Sequence, residues 1–423
     1  MSRQRERIII VGGDAAGMSA ASQVRRLQPD AEVVAFERTT HTSYALCGLP
    51  YLIAGLVDDP SKLVARTPDA HRRAGIDLRL RSEVIGIDLD RREVIVWDAE
   101  ARREYREPFD RLVLATGARP RTLAVPGREA AGIFTLHSLD DALALAAWLQ
   151  NEHPRQAVVV GAGYVGIEVA EAFVTRGLPT TVLEAAPHVL TLLDPDMAEL
   201  VERAMRDAGI DLRTSTPVDG FQTRGGRVVA VDTPHGSVPA DVVVIGIGVE
   251  PNSELAGQAG IELGDRNAIH VDERCRTSVP GVWAAGDCAD AYHRLLGRSV
   301  YFPLGTTANK QGRICGLDLA GRPARFPGIV GTAITRFGET EIARTGLSER
   351  EARAVGFEVA VGSVRSTTRS GYFPGATWMT VKIVADAGSG KLLGAQIVGG
   401  PGAGKRIDTV ATALTAGMTL EEF

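Results

Sequence analysis

Arg7-Ile8-Ile9-Ile10-Val11-Gly12-Gly13-Asp14-Ala15-Ala16-Gly17 is the stretch whose reading decides the fold. The run up to Val11 is short and apolar, the shape of a strand buried on both faces of a parallel sheet. A glycine-rich turn follows, then a helical pattern over Met18–Leu27 and a second strand, Glu32–Phe36, that ends at Glu37. Such a turn lets the backbone approach a pyrophosphate seated on the helix N-terminus. An acid about twenty residues further on bonds an adenosine ribose, and the spacing from Gly17 to Glu37 is 37 − 17 = 20. One departure stands out: the middle glycine of GxGxxG is replaced by Asp14. A strand-turn-helix with no ligand would share part of this pattern.

The same grammar returns. Gln156–Val160 reads as a strand, Gly161-Ala162-Gly163-Tyr164-Val165-Gly166 is a strict GxGxxG, and a helix leads to the strand Thr180–Leu183 with Glu184 at its end. The residues after Glu184 are Ala185, Ala186 and Pro187, with no arginine to hold a 2′-phosphate, which favours NAD over NADP. Arg176 and Arg203 lie elsewhere in this half, so NADPH stays possible. Two dinucleotide sites in one chain imply two cofactors, or one cofactor and one nucleotide substrate. The chemistry that pairs them is hydride transfer from a nicotinamide to a flavin.

Between the two units, Asp110–Pro120 is a strand ending in a tight turn, and Asp241–Asn252 is a similar piece containing Gly248. These are expected to be the crossings between nucleotide domains. Leu78–Tyr105 alternates with charged turns and reads as an antiparallel excursion. His71, Arg72 and Arg73 are expected at a solvated helix end. Thr277–Asp287 delivers Asp287 at the C-terminal end of a buried strand, where α/β sheets bind ligands; a plain strand-ending turn is the alternative. Tyr301–Gly316, with Pro303 and Thr306, reads as a loop entering a helix whose N-terminus could face a reduced flavin ring. From Arg325 the character changes. Strands at Val359–Val364, Met379–Ala385 and Leu392–Val398 and helices at Ser348–Ala354 and Lys405–Ala416 describe an antiparallel α+β domain without a phosphate loop.

Thr42-Ser43-Tyr44-Ala45-Leu46-Cys47-Gly48-Leu49-Pro50-Tyr51 follows the first unit by a few residues and holds one isolated cysteine. A thiol attacks as the thiolate and needs a depressed pKa with partial access. The small and turn-forming residues around Cys47 fit a loop feeding a helix N-terminus, whose partial positive charge favours a thiolate. A small buried hydrophobe is the usual alternative for a free cysteine. Cys275, Cys288 and Cys315 are scattered, without any CxxC, which excludes a thiol zinc site and a disulfide framework, leaves no metal site to expect and suits a reducing cytoplasm. With 423 residues, a net charge of -5 and no apolar run of membrane-spanning length, the chain reads as a soluble protein of two to four domains without a nucleic-acid partner. Met1–Arg7 is polar and runs straight into a strand, so no secretory signal is expected.

Taken together, the chain resembles the FAD-using pyridine nucleotide-disulfide oxidoreductases along essentially its whole length. Ser43-x-x-x-Cys47 without a second nearby cysteine resembles the single-cysteine branch: coenzyme A-disulfide reductases, NADH oxidases and NADH peroxidases. Gly12–Gly17 is similar to the GGxAAG turn of the reductases, which accounts for the missing middle glycine. Ala15 stands where peroxidases and many oxidases carry a histidine. Cys47–Tyr51 is similar to CGLPYY, with Leu52 for the last tyrosine, and Gly371–Ala376 resembles YYPGA, with Phe373 for one tyrosine.

The resemblance implies an α/β fold of two Rossmann-like domains, FAD-binding over 1–120 and 245–322 and NAD(P)H-binding over 121–244, with a C-terminal α+β dimerisation domain over 323–423. It implies that Gly12, Gly13, Ala16, Gly17, Glu37, Arg38, Thr116, Gly117 and Asp287 hold FAD, with Pro303 and Thr306 nearby. Gly161, Gly163, Tyr164, Val165, Gly166 and Glu184 would hold the nicotinamide dinucleotide, with Gly248 at the crossing. Ser43 would help position the Cys47 thiol, and Tyr372 would reach the partner subunit's site as a proton donor; an aromatic packed at a turn is its alternative. Lys310 and Arg313 would meet coenzyme A phosphates or form a solvated helix face. In the reductases the dimer domain runs on and brings a second tyrosine near the site, whereas Phe423 is the last residue here.

The expected activity is transfer of electrons from NADH through FAD and Cys47 to coenzyme A disulfide or a related small disulfide, persulfide or polysulfide, in a cytoplasmic homodimer. The rivals are an NADH oxidase working through a Cys47 sulfenic acid, a reductase of an electron-carrier protein, and a flavoprotein redox sensor.

Overall fold

In the computed structural model, which describes residues 5–423, the strand Arg7–Val11 lies between parallel neighbours Glu32–Phe36 and Arg111–Leu114. That company is why Ile8, Ile9 and Ile10 have no exposed surface. The polar lead expected over Met1–Arg7 lies outside the described residues as far as Gln4. Val282–Ala284 and Ile76–Arg79 complete a five-stranded parallel sheet at its two edges. Parallel strands need crossovers that cover both faces, so they read as unbroken apolar runs. One face carries the helices Ala15–Leu27 and Gly305–Leu319. They approach closely because Gly312 and Gly316 carry no side chain: a Cβ there would lie 2.2 Å from the Ala16 carbonyl oxygen and 2.6 Å from that of Ala20. The first helix starts at Ala15, three residues before the expected Met18, since the small residues of the turn continue directly into helix.

The other face is covered by the antiparallel strands Ser82–Asp88, Glu93–Asp98 and Arg103–Pro108. The excursion expected over Leu78–Tyr105 is therefore shifted. Leu78 belongs to the parallel strand Ile76–Arg79, because its side chain is buried in the helix-side core.

The second sheet repeats the first in the order Asp211–Arg213, Thr180–Leu183, Ala157–Val160, Val242–Ile245, Ile133–Thr135, all parallel. It has its own antiparallel flap, Gly220–Arg224, Arg227–Thr233 and Gly236–Pro239, which the sequence reading did not single out. The chain passes between the sheets along Ala118–Pro120 and Val249–Pro251, which pair antiparallel at the expected crossings.

The C-terminal sheet is antiparallel throughout, in the order Ala333–Phe337, Thr340–Gly346, Leu392–Gly399, Trp378–Asp386, Val359–Thr367. Its first two strands were not anticipated. The helices Glu349–Ala354 and Ile407–Ala416 flank it. It docks on the second sheet's domain through buried charge. Lys382 lies 3.2 Å from Asp194, 2.8 Å from Asp196 and 3.2 Å from Glu349. Asp194 stands at the N-cap of the helix Pro195–Asp207, yet its carboxylate accepts N–H bonds from Glu349 and Arg350 at the start of the other domain's helix. Among the described residues no helix is long and apolar enough to cross a membrane.

Candidate active site

The two glycine-rich turns are built alike. Gly12 has φ +114°, and a Cβ on it would sit 2.0 Å from the Ala115 carbonyl oxygen. A Cβ on Gly17 would sit 1.9 Å from the Gly12 carbonyl oxygen, so this glycine lets helix and strand touch. Gly161 and Gly166 repeat the arrangement, with φ +96° at Gly161 and a Gly166 Cβ 2.0 Å from the Gly161 carbonyl oxygen. The two acids are used alike as well. Gly13 N–H donates to Glu37 Oε2 at 2.9 Å and Thr39 N–H to Oε1 at 2.8 Å. Ala162 N–H donates to Glu184 Oε2 at 2.6 Å and Ala186 N–H to Oε1 at 2.8 Å. Each acid thus braces its own turn. Around Gly163, by contrast, a Cβ would meet nothing within 4 Å, space kept open at the head of a 12-residue helix.

A cleft of about 560 Å³ opens over the first turn. It brings together Gly12, Gly13, Ala16, Glu37, Arg38, Thr116, Gly117, Asp287 and Cys47 of the expected residues. Gly17 lies beneath it as a packing residue. Ser43, Pro303, Thr306 and Gly248 do not line it; Gly305, which lies between Pro303 and Thr306 at the start of the helix Gly305–Leu319, does. Gly161, Gly163, Tyr164, Val165, Gly166 and Glu184 sit on the second turn, outside this cleft. Tyr372 is 89 % exposed at the tip of the C-terminal hairpin and does not line the cleft within one chain. Lys310 and Arg313 are exposed on their helix.

Asp14, in the middle-glycine position, has its carboxyl pushed up to about 7, chiefly by burial, then by Glu37, with Asp287 adding a little. Its Oδ1 is buried without a hydrogen-bond partner. Burial likewise holds Asp287 up to about 6, against a lowering bond from the Leu304 backbone. Asn252, not singled out beforehand, clasps the crossing: its Nδ2–H donates to the Thr116 carbonyl oxygen at 2.9 Å, and Thr116 Oγ–H donates to its carbonyl at 2.5 Å. His137 also lines the cleft, its imidazole pushed down by burial.

Cys47 lies in the one-turn segment Leu46–Gly48, directly before the helix Leu49–Ala54, and it is solvent-exposed, whereas Cys275, Cys288 and Cys315 are buried. The expectation of a protein-depressed thiol is corrected. Burial of its inner side, followed by the charge of Glu168, pushes the Cys47 thiol up; a backbone N–H at Cys47 itself acts the other way. A six-residue helix beside an acid does not outweigh these effects. Glu168 was missed by the sequence reading. It sits on the helix Tyr164–Thr175, accepts a 2.6 Å bond from Thr335 Oγ–H of the C-terminal sheet, and is itself pushed up by burial. An acid amid Val165, Ile167, Val169 and Ala170 was the available signal.

A second correction concerns His71. It is 2 % exposed rather than solvated, and its Nε2 lies 2.9 Å from Ser43 Oγ. Burial, then Arg66, hold its pKa down at about 4. Arg72 and Arg73 are exposed as expected, Arg72 also donating to the Leu78 carbonyl oxygen at 3.1 Å.

The residues present fit a flavin dinucleotide. The braced turn at the head of the helix Ala15–Leu27 and the open space at Gly117, where a Cβ would meet nothing within 4 Å, together describe a cradle for a dinucleotide. The model of the pyridine nucleotide-disulphide oxidoreductases matches residues 6–312, and that of their dimerisation domain matches residues 332–423. The chain belongs to this family. It is 38 % identical over 423 residues to an NAD(P)H coenzyme A polysulfide/persulfide reductase of Pyrococcus horikoshii, covering 99 % of this chain and 93 % of the relative. It is 33 % identical over 419 residues to an NADH oxidase of Methanocaldococcus jannaschii, covering 99 % and 93 %. The structure of an NAD-dependent persulfide reductase from A. fulgidus superposes with a TM-score of 0.95 at 36 % identity, covering 98 % of this chain and 77 % of that one.

Proposed function

We propose that this chain is an FAD-containing oxidoreductase that passes electrons from NAD(P)H, NADH preferred, through the single redox sulfur Cys47 to coenzyme A disulfide or a related small disulfide, persulfide or polysulfide. The observation that carries the reading is the placement of one exposed thiol on the wall of a dinucleotide cleft, with the other three cysteines buried. The names of the relatives support it. Gly12, Gly13, Glu37, Thr116, Gly117 and Asp287 would hold FAD, and Gly161, Gly163, Gly166 and Glu184 the nicotinamide dinucleotide. Bound FAD would supply hydride acceptance and onward electron transfer.

This chain's residues do the sulfur chemistry. The Cys47 thiolate attacks one sulfur of the substrate, a mixed disulfide forms, and the other sulfur leaves as a thiolate. One cysteine suffices because the substrate brings the second sulfur. Glu184 is followed by Ala185, Ala186 and Pro187, with no arginine among them, which favours an unmodified ribose over a 2′-phosphate. Tyr372, offered to solvent on the C-terminal hairpin, suits a proton donor reaching a partner subunit's leaving thiolate, which makes the functional unit a homodimer. Unpaired cysteines suit a reducing, cytoplasmic setting. Replacing Cys47→Ser should keep bound flavin and abolish disulfide turnover; undiminished turnover would refute the reading. The M. jannaschii relative's name favours an NADH oxidase as second reading, and NADH consumption in air, with little thiol release from coenzyme A disulfide, would select it.

A further inference from the structure

Gly286–Asp290 turns the chain at the end of the edge strand Val282–Ala284 and puts Asp287 on the cleft wall. Glu37 follows the strand Glu32–Phe36, three places across the same sheet. At about 4.8 Å per strand the two strand ends lie roughly 14 Å apart, with the Gly12 turn between them. A dinucleotide whose adenosine ribose sits at Glu37 and whose diphosphate crosses the turn therefore brings its other half to Asp287.

Gly286 has φ +83° and no side chain with which to anchor this turn. The anchor comes from the helix Gly305–Leu319. Gln311 is 1 % exposed on the side of that helix whose other residues, Ala308, Cys315 and Leu319, are apolar core. Gly286 N–H donates to Gln311 Oε1 at 2.9 Å, and Gln311 Nε2–H donates to the Asp290 carbonyl oxygen at 2.8 Å. One amide thus closes both ends of the turn. Its partners fix its orientation, since a flipped amide would set donor against donor at Gly286 and acceptor against acceptor at Asp290. Within the turn Ala289 N–H donates to the Gly286 carbonyl oxygen at 2.9 Å, and the Asp290 carboxylate accepts Val271 N–H at 3.2 Å. At the head of the same helix the Leu304 backbone N–H bonds the Asp287 carboxyl. A buried amide costs free energy unless its bonds are made, and here both go to the turn that carries Asp287.

We infer that Gln311 is a positioning residue for the flavin half of the bound dinucleotide: by closing the Gly286–Asp290 turn it fixes Asp287 on the cleft wall. The adenosine half, at Glu37 and the Gly12 turn, does not depend on it. This rests on the cleft being an FAD site. Gln311 does not line the cleft itself and acts through the backbone on either side of Asp287.

The test is ligand binding to the full-length protein stripped of its flavin, with FAD followed by flavin fluorescence and ADP by calorimetry. ADP carries the adenosine and the diphosphate but no flavin half. Gln311→Met, similar in length and without polar atoms at its end, should bind FAD about tenfold more weakly and ADP within about twofold of the parent, a loss the size of one net hydrogen bond. Asp287→Ala should weaken FAD in the same selective way, and the double variant should bind FAD no more weakly than Asp287→Ala alone. Gln311→Glu at pH 5.5 should recover most of the parent's FAD affinity, because burial keeps the acid neutral and the neutral acid supplies both an acceptor and a donor. Parent-like FAD affinity in Gln311→Met, an equal loss of FAD and ADP, losses that add in the double variant, or a Gln311→Glu protein no better than Gln311→Met would each overturn the proposal. If Gln311→Met does not fold, Gln311→Ala, which leaves room for a water at the two freed backbone groups, takes its place under the same requirements. A parent protein that binds neither FAD nor ADP would overturn the reading of the cleft instead.

Discussion

Two glycines of one motif should fail in different ways. At Gly166 a Cβ would lie 2.0 Å from the Gly161 carbonyl oxygen and 2.9 Å from its carbon. Ordinary contact begins near 3.4 Å, so Gly166→Ala must push helix and turn apart by about 3.4 − 2.0 = 1.4 Å. Both contacting groups are backbone, so no rotamer change relieves them. Overpacking of this kind costs about 1–3 kcal/mol, roughly 3–12 °C of melting temperature for a domain of this size, and it would also displace the N–H groups proposed to meet a diphosphate. Gly163 has φ −76° and ψ −172°, which alanine adopts freely, and its Cβ would meet no protein atom within 4 Å. Gly163→Ala should therefore melt within about 1 °C of the parent or slightly above it, while NADH binding weakens about tenfold or more because the added methyl occupies the diphosphate's path. Thermal melts with and without NADH, alongside an anaerobic NADH titration of flavin absorbance, separate the two variants. Equal destabilisation by both, or unchanged melting and NADH affinity for Gly166→Ala, would refute the reasoning.

Asp14, held up at about 7 against a usual 3.8, makes the flavin-free protein most stable below pH 4 as far as this group is concerned, and that contribution is lost as pH rises toward 7. Asp14→Asn should flatten the fall in melting temperature between pH 5 and pH 8; an unchanged slope would count against the assignment. Glu168→Gln removes a charge that pushes the Cys47 thiol up, so alkylation of Cys47 at pH 7 should accelerate, and a slower rate would contradict that electrostatic role. Lys382→Met leaves Asp194, Asp196 and Glu349 clustered without their cation, a loss of about 3–5 kcal/mol by analogy with broken buried pairs. It should loosen the C-terminal domain in limited proteolysis, and parent-like resistance would show the cluster to be dispensable.

The sheets that position the site were legible where local pattern and final burial coincide. Arg7–Val11 and Ala157–Val160 are buried on both faces, so their sequences announce themselves, and the turns at Gly12 and Gly161 are fixed by backbone geometry that glycine satisfies. Ala333–Phe337 was not legible, since its residue types do not follow its burial: Ile334 is exposed while Thr335 is buried, so no apolar/polar alternation marks the strand that pairs with Thr340–Gly346. His71 carries no local mark of its burial, which arises when its helix folds onto Ser43. Glu168 acquires its place by the docking of Thr335 from a different domain. The thiol's expected activation was misjudged for the same reason: a helix N-terminus can be read from sequence, whereas the burial of the thiol's inner side, and after it the charge of Glu168, come from packing and cannot.

The measurement closest to the central claim is anaerobic NADH oxidation by the purified protein with coenzyme A disulfide, counting thiols released, for the parent and Cys47→Ser. The account predicts that the parent releases two thiols per NADH, well above the rate in air alone, and that Cys47→Ser keeps its flavin, is still bleached by NADH and releases none. Thiol release by Cys47→Ser at the parent's rate would contradict it.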